Sequence, residues 1–567
     1  MRKVLLPPSE GAGIDSRPIV NLSLALNYAV SGLNPRGFRL TNVAGHLLAA
    51  LALFGLVRRT LLLPSLVNRW GTAALPVALG TALLWTVHPL QTETVICVIQ
   101  RTEGLASLCF VTMLYSFVRG CPSASHRGWL IIAWLACLLG MATKEIMVGA
   151  PLLAFLFDRT FVAGTFRESW RQRGGWHAAF AATWLVLIGL VLSSGGSRGG
   201  TAGFEAGVSP WTYLLTQARA ITLYLKLSFW PHPLILDYGG WLAPGLRAVL
   251  GEFLLIATLF GATVYAVVRQ PKVGFVGASF FAILAPSSSF YPLVSQTVAE
   301  HRMYLPLAAV LALFVLGLFR LTGRWTLLPV MLLAGAAGVA TVQRGQKYAS
   351  ELTLWTETVA QSPSNPWARF NLGHVHFKEG RFAEAERENR AVIALMPGHA
   401  DAHFSLGLAL EKQGRLDAAA DSYRKRLELK PGFADGHFRL GIVLLHLGRT
   451  AEALAQFAET IRLDPEHADA EGNLGVALYQ LGHLIEALPH FERVLALRPD
   501  SVEARYNLAL LLLQAGRAES ALPHLMEAAR LHPDDREIRT VLTRTLSEMG
   551  RHEEARRVQE QLGSPAP

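Results

Sequence analysis

The stretch ADGHFRLGIVLLHLGRTAEALAQFAETIRLDPEH, residues 434–467, decides the C-terminal part of this chain, because it returns every 34 residues on either side. Leu-Gly stands at Leu372-Gly373, Leu406-Gly407, Leu440-Gly441 and Leu474-Gly475, and Leu508-Ala509 and Leu542-Thr543 continue the step. Gly380, Gly414, Gly448, Gly482, Gly516 and Gly550 keep the same interval, as do Ala385, Ala419, Ala453, Ala487, Ala521 and Ala555. Pro397, Pro431, Pro465, Pro499 and Pro533 close successive units. A fixed period of this length means stacked supersecondary units that bury their apolar faces against their neighbours. Each residue class has a physical part in such a unit. The small residues of the Leu-Gly and Ala series let two helices approach closely. The second Gly series marks the turn between them, where positive φ is easy. Proline cannot continue a helix and ends the second one. Tyr423, Phe457 and Phe491 fill one aromatic packing position, from which Asn389 departs.

This pattern resembles the tetratricopeptide repeat (TPR). Residues 366–567 are therefore expected to form an α-solenoid of about six repeats. Such a stack has a concave groove suited to peptides. Asn371, Asn473 and Asn507 share one position just before the recurrent Leu, where stacked amides could bond a peptide backbone. Ser405 and Arg439 interrupt that ladder, and the competing reading is that Asn only tolerates a packing position. Asp401, Asp435, Asp469 and Glu503 also recur. They favour either a basic ligand or, better, a solvated face at helix N-termini.

Upstream, the composition changes. The 567 residues are 51% hydrophobic and 17% charged, against about 25% charged in soluble globular chains. The depletion lies between Leu40 and Val342, where apolar runs alternate with short Arg-bearing loops. Candidate membrane spans fall at about 41–57, 72–88, 103–118, 128–143, 145–158, 176–194, 249–268, 273–287, 304–321 and 325–342. The stretch 212–230 is apolar but carries Arg219 and Lys226, so it is expected to lie at the interface or re-enter rather than cross. The chain thus divides into an N-terminal non-cytoplasmic segment (1–39), a multi-span domain (40–343), a linker (344–365) and the repeat array (366–567). The fold class is all-α: a polytopic transmembrane bundle followed by a solenoid.

The net charge of +10 fits arginines gathered in cytoplasmic loops. No basic patch interleaved with aromatics suggests nucleic acid. Arg58, Arg59, Arg69, Arg119, Arg127, Arg159, Arg167, Arg171, Arg173, Arg269, Lys272, Arg320 and Arg324 all fall between spans on one side. That parity places the repeat array on the other side, and with it His88 to Arg101, Lys144-Glu145, Asp237-Tyr238 and Glu300-His301-Arg302. Ionisable groups at membrane depth are costly and persist where they face a cavity or each other. As a set they mark a candidate site, although any one of them alone reads as a residue at headgroup level. The four cysteines, Cys97, Cys109, Cys121 and Cys137, form no CxxC pair. No P-loop, dinucleotide loop or metal-ligand spacing is present. The first residues, MRKVLLPPSEGAGIDSRP, read as neither a signal peptide nor a span.

Four strings carry a family resemblance: RPIVNLSLALNYAVSGLNPRGFRLTNVAGHLL (17–48), WTVHPLQTETVICVIQRTEGLASL (85–108), MATKEIMVGAPLLAFLFDR (141–159) and VAEHRMYLPLA (298–308). Together with the repeats, they resemble the TMTC family of transmembrane and TPR-containing proteins, bacterial relatives included, over nearly the whole chain. The resemblance implies a GT-C glycosyltransferase fold and transfer of a sugar from a polyprenyl-phosphate carrier to protein Ser or Thr. The active site would lie on the non-cytoplasmic face of a membrane, here a bacterial inner membrane, and the repeats would bind the acceptor. The resemblance also implies that Arg101, Arg219 or Arg302 would hold the carrier phosphate, since guanidinium binds phosphate oxygens bidentately. His88, Glu93, Glu300 and His301 would line the pocket. The implied donor is the lipid-linked sugar, with no bound cofactor and the metal unassigned because metal dependence varies in this class, and the implied partners are the bilayer, that lipid and a protein or peptide. The chain enters the family pattern at Arg17-Pro18, past the first span and the acidic first external loop that GT-C enzymes use. Glu10 and Asp15 are the only acids upstream, so no catalytic residue is assigned. The competing function is a membrane-anchored TPR scaffold without catalysis.

Overall fold

The computed structural model describes residues 17–121, 126–193, 207–289, 292–293 and 297–563. Glu10 and Asp15 lie outside them. The chain forms two compact units, Met1–Ala368 and Arg369–Pro567, and both are helical.

The first unit runs α1 (Pro18–Ser31), α2 (Pro35–Leu61), α3 (Ala74–Val87), α4 (Arg101–Gly120), α5 (Arg127–Met141), α6 (Ala150–Phe157), α7 (Phe166–Ala182) and α8 (Trp184–Ser193). It continues with α9 (Pro210–Phe229), α10 (Leu250–Arg269), α11 (Pro271–Leu284), α12 (Pro306–Thr322), α13 (Leu327–Lys347) and α14 (Glu351–Gln361). Among the described residues seven helices are long and apolar enough to cross a membrane, or eight if the pair Pro89–Ile96 and Val98–Gly120, bent by 98°, is counted as one span. The chain is an integral membrane protein. The stretches around α5 and α11 are apolar but shorter, 15 and 14 residues.

Several expectations change in detail. The segment 1–39 contains α1 and the start of α2, whose first turn is set by Pro35 and by the Asn34 side chain accepting from Arg36 N. The 344–365 linker is largely helical, since α13 extends to Lys347 and α14 follows. The stretch 212–230 is one unbroken helix, α9, capped by Ser209 on Thr212 N, and it is not among the span-like helices.

Around its buried apolar core this unit also turns apolar faces outward, unlike a soluble domain. The apolar helix α10 buries none of its 20 residues. Helix α1 buries Val20, Asn21 and Asn27 while Leu26, Val30 and Leu33 are exposed. An apolar surface facing outward is what hydrocarbon solvent permits, and polar groups then turn inward to find partners. Asp158, fully buried, shows this. It accepts from Arg173 (2.9 and 2.7 Å), from Ser169 (2.7 Å) and lies 2.9 Å from His177 Nε2, tying the end of one span to the start of the next. Arg173, at a kink within α7, is therefore a structural partner of Asp158 rather than a free loop cation.

The second unit repeats one device. Gly380, Gly414, Gly448, Gly482, Gly516 and Gly550 all have φ between 71° and 81°, which glycine adopts without a Cβ penalty. A Cβ on Gly407 would sit 2.5 Å from the Tyr423 ring, and one on Gly441 would sit 2.6 Å from Phe457. The Leu-Gly glycine and the aromatic are thus one packing pair. Asn389 replaces the aromatic in the first repeat, where it is buried and donates to Ala385 O at 2.8 Å.

Candidate functional site

The polar motifs of the first unit come together through contacts between residues far apart in the chain. Glu300 and His301 sit on a short 3-10 turn, Glu300–Met303, just before α12. Glu300 Oε1 accepts from Ile235 N and from the Tyr238 hydroxyl, both at 2.7 Å, and its Oε2 lies 2.5 Å from Arg344 Nη2. Arg344 also donates to Pro89 O (3.2 Å) and to the Tyr348 hydroxyl (3.3 Å). His301 Nδ1 lies 2.8 Å from Glu93 Oε1, which also accepts from Gln100 (3.3 Å). His88 Nδ1 accepts from Leu90 N, so its Nε2 is the donor to Ser228 O at 3.2 Å. Trp85 and Gln91 both donate to the Tyr304 carbonyl. The HP-x-x-TE string and the EHR-x-YLP string are therefore one structure.

Cations and carboxylates continue around this network. Lys144, half-buried, pairs with the buried Glu103, and Arg17 lies 3.8 Å from Glu145. Arg302 is buried, with its Nη1 on Gln217 Oε1 (3.4 Å) and Thr297 O (3.2 Å). Asn365 donates to Asp237 O (2.9 Å) and accepts from Trp367 N and Ala368 N, fixing the loop that carries Tyr238. Beside Arg344 opens a cavity of about 130 Å³ bounded by His232, Gln343, Lys347, Glu357 and Gln361.

The three arginine candidates separate. Arg101 is a clamp: it donates to Asn42 (2.8 Å), Asn27 (2.8 Å), Phe38 O (2.9 Å) and Ser23 O (3.3 Å), which leaves little of its fork for a phosphate. Arg219 is exposed and lies 3.9 Å over the Trp241 ring, on the opposite face of α9 from Gln217. Arg302 alone is held inside beside the Glu300 turn. Arg344 was missed because it reads as the first residue of a linker. The available signal was a lone cation ending an apolar run, the pattern that marks functional groups at membrane depth.

In the repeats, Asn473 Nδ2 donates to Asp469 O of its own helix at 2.8 Å. Asn371 and Asn507 hold the equivalent position and are half-buried. Asp469 pairs bidentately with Arg498 (2.6 and 3.1 Å), and Asp401 lies 3.6 Å from Arg426. The recurrent acids are thus partly spent within the array.

Tetratricopeptide repeat families match residues 370–434, 434–500, 473–536 and 512–567. Over 470 residues the chain is 26% identical to "Protein O-mannosyl-transferase Tmtc1" of Drosophila melanogaster, covering 65% of this chain and 53% of that one. The chain is TMTC-like. It is also 26% identical over 434 residues to "Protein O-mannosyl-transferase TMTC1" of Homo sapiens, covering 67% of this chain and 48% of that one. The chain spans about half the length of the curated relatives it matches. Among solved structures it is similar to "YrrB: a TPR protein with an unusual peptide-binding site", at 22% identity and a TM-score of 0.31, covering 32% of this chain and 94% of that one. The TMTC-like chain therefore joins a buried polar network in a multi-span unit to a TPR array.

Proposed function

We propose that this chain is a membrane protein O-glycosyltransferase that moves a sugar, mannose by likeness to its relatives, from a polyprenyl-phosphate carrier to Ser or Thr of a protein bound by the repeats. The observation that carries the reading is the joining of two distant strings, HP-x-x-TE and EHR-x-YLP, into one buried network through His301–Glu93 and Glu300–Arg344, in a chain similar to O-mannosyl-transferases along two thirds of its length. In this reading Arg302 faces the carrier phosphate. A planar guanidinium can bind two phosphate oxygens side by side. Glu300 and Arg344 hold the turn that presents it, so they are positioning residues. The arginine-rich loops orient the network and the repeat array away from the cytoplasm, across a bacterial inner membrane.

The test uses the full chain reconstituted in liposomes, with labelled mannosyl polyprenyl phosphate and an unfolded Ser/Thr-rich acceptor. Label on the acceptor, lost in Arg302→Ala and retained in Arg219→Ala, is the expected result. No label on any acceptor presented would overturn it. The regular repeat array favours a second reading, a membrane-tethered scaffold. In that case the array fused to an unrelated span would restore function to a deletion strain, and the transferase variants would be silent.

A further inference from the structure

A second cavity lies away from the polar network, within the membrane-spanning helices. Its volume is about 230 Å³ and its lining is almost wholly apolar. On one wall α12 presents Ala308, Ala309 and Ala312, and their short side chains leave the space that α2, α4, α6 and α11 do not fill. From Leu305 to Leu316 the cavity follows α12 for about 16 Å at about 1.5 Å per residue. An apolar space of that length can take part of a hydrocarbon chain.

One end of this cavity is charged. Lys272, at the start of α11, lines it and donates from Nζ to Ser65 O, which brings α11 against the turn that precedes Trp70. Trp70 lines the same cavity. The guanidinium of Arg320 lies 4.9 Å, and that of Arg69 5.6 Å, from the Trp70 ring centroid. All three cations are exposed, and among the described residues none of them is ion-paired with a carboxylate. They come from three separate stretches of the chain and meet at the arginine-rich end of the spans. A basic mouth above an apolar slot between spans is complementary to one occupant, a lipid with an anionic headgroup.

We propose that this cavity is a binding site for one anionic phospholipid of the surrounding bilayer, its phosphate held by Lys272, Arg69 and Arg320 and one acyl chain lying along Ala308, Ala309 and Ala312. Of the lining residues only Leu305 belongs to the EHR-x-YLP string, and none of the network's polar side chains lines the cavity, so the site stands or falls independently of the transferase reading. It is tested by native mass spectrometry of the full-length, delipidated protein, titrated with phosphatidylglycerol or with phosphatidylcholine of the same chains. One phosphatidylglycerol binds in preference to phosphatidylcholine, and its affinity falls roughly five-fold for each cation neutralised in Lys272→Gln, Arg69→Gln and Arg320→Gln. These three side chains are exposed, so lipid-free thermal unfolding of the variants stays at the wild-type temperature. The double variant Ala309→Leu/Ala312→Leu fills the slot and abolishes the retained lipid with all three cations intact. Equal retention of the two lipids, or unchanged binding in the triple Gln variant, would show annular lipid only and overturn the proposal. Displacement of phosphatidylglycerol by polyprenyl phosphate at equal stoichiometry would make the slot a carrier site and overturn it as well.

Discussion

The two units use charge in opposite ways. In the membrane unit the ion pairs of the polar network join distant parts of the chain, with Glu300–Arg344 and His301–Glu93 buried and Lys144–Glu103 largely so. In the repeat unit many are one helical turn apart and open to water: Arg449 with Glu452, Arg462 with Glu459, Arg530 with Glu527. Apolar residues invert likewise. Helix α10 turns an apolar surface outward, whereas the repeats bury Tyr423, Phe457 and Phe491 against small residues. A charge in water is already solvated, so a surface pair contributes little. Inside a bundle surrounded by hydrocarbon, each charge needs its partner, and the partners then hold the helices in place.

The sharpest way to break this contrast is to remove one buried partner. Arg344→Ala strands Glu300 and is expected to cost about 3–5 kcal/mol, read as loss of hydrogen-exchange protection in α12 and α13 of the full chain. Next in size is a packing change in the array. Gly407→Ala drives a Cβ to 2.5 Å from the Tyr423 ring and is expected to cost about 1–3 kcal/mol, confined to the repeats. Arg449→Ala removes an exposed pair and is expected to shift the thermal unfolding of the array far less than Gly407→Ala does. An effect as large as that of Arg344→Ala would remove the distinction between the units.

The smallest effect is a pH dependence of the array. Burial lowers the His399, His376 and His524 pKa values below the ordinary histidine range. His399 Nδ1 accepts from Ala402 N at the start of its helix, which only the neutral ring can do. Because the folded array holds these rings neutral, it binds fewer protons than the unfolded chain just below the unfolded pKa of about 6.5. Array stability is therefore complete above that pH and declines as pH falls through it. His399→Asn, which caps without titrating, is expected to flatten the decline. A melting temperature of the array that is level from neutral pH down to acid would contradict this.

The repeat array could be read almost completely from the chain, because each contact in it is local. A glycine and the aromatic it packs against are 16 residues apart in Gly407 with Tyr423, Gly441 with Phe457 and Gly475 with Phe491, within a 34-residue period. Where it failed, at Asn389, the substitute is stabilised by a bond to its own helix. The membrane spans could also be read, since hydrocarbon thickness and backbone hydrogen bonding dictate length and composition. The candidate site was half legible. Glu93, His301 and Glu300 stood out as ionisable groups at span ends, and all three belong to the network.

Partner choice was not legible. Arg101, Arg219 and Arg302 are equivalent as letters, yet one clamps α1 and α2, one lies over the half-buried Trp241 and one is enclosed. Arg344 looked like the edge of a linker and proved to be the counterion of Glu300. Periodicity and hydropathy are properties of a helix and its immediate neighbours, so composition and spacing carry them. Which buried charge meets which depends on how non-adjacent helices pack. That choice is made by side-chain volume and by the cost of an unpaired charge at sites dozens to hundreds of residues apart, and only the folded bundle reveals it.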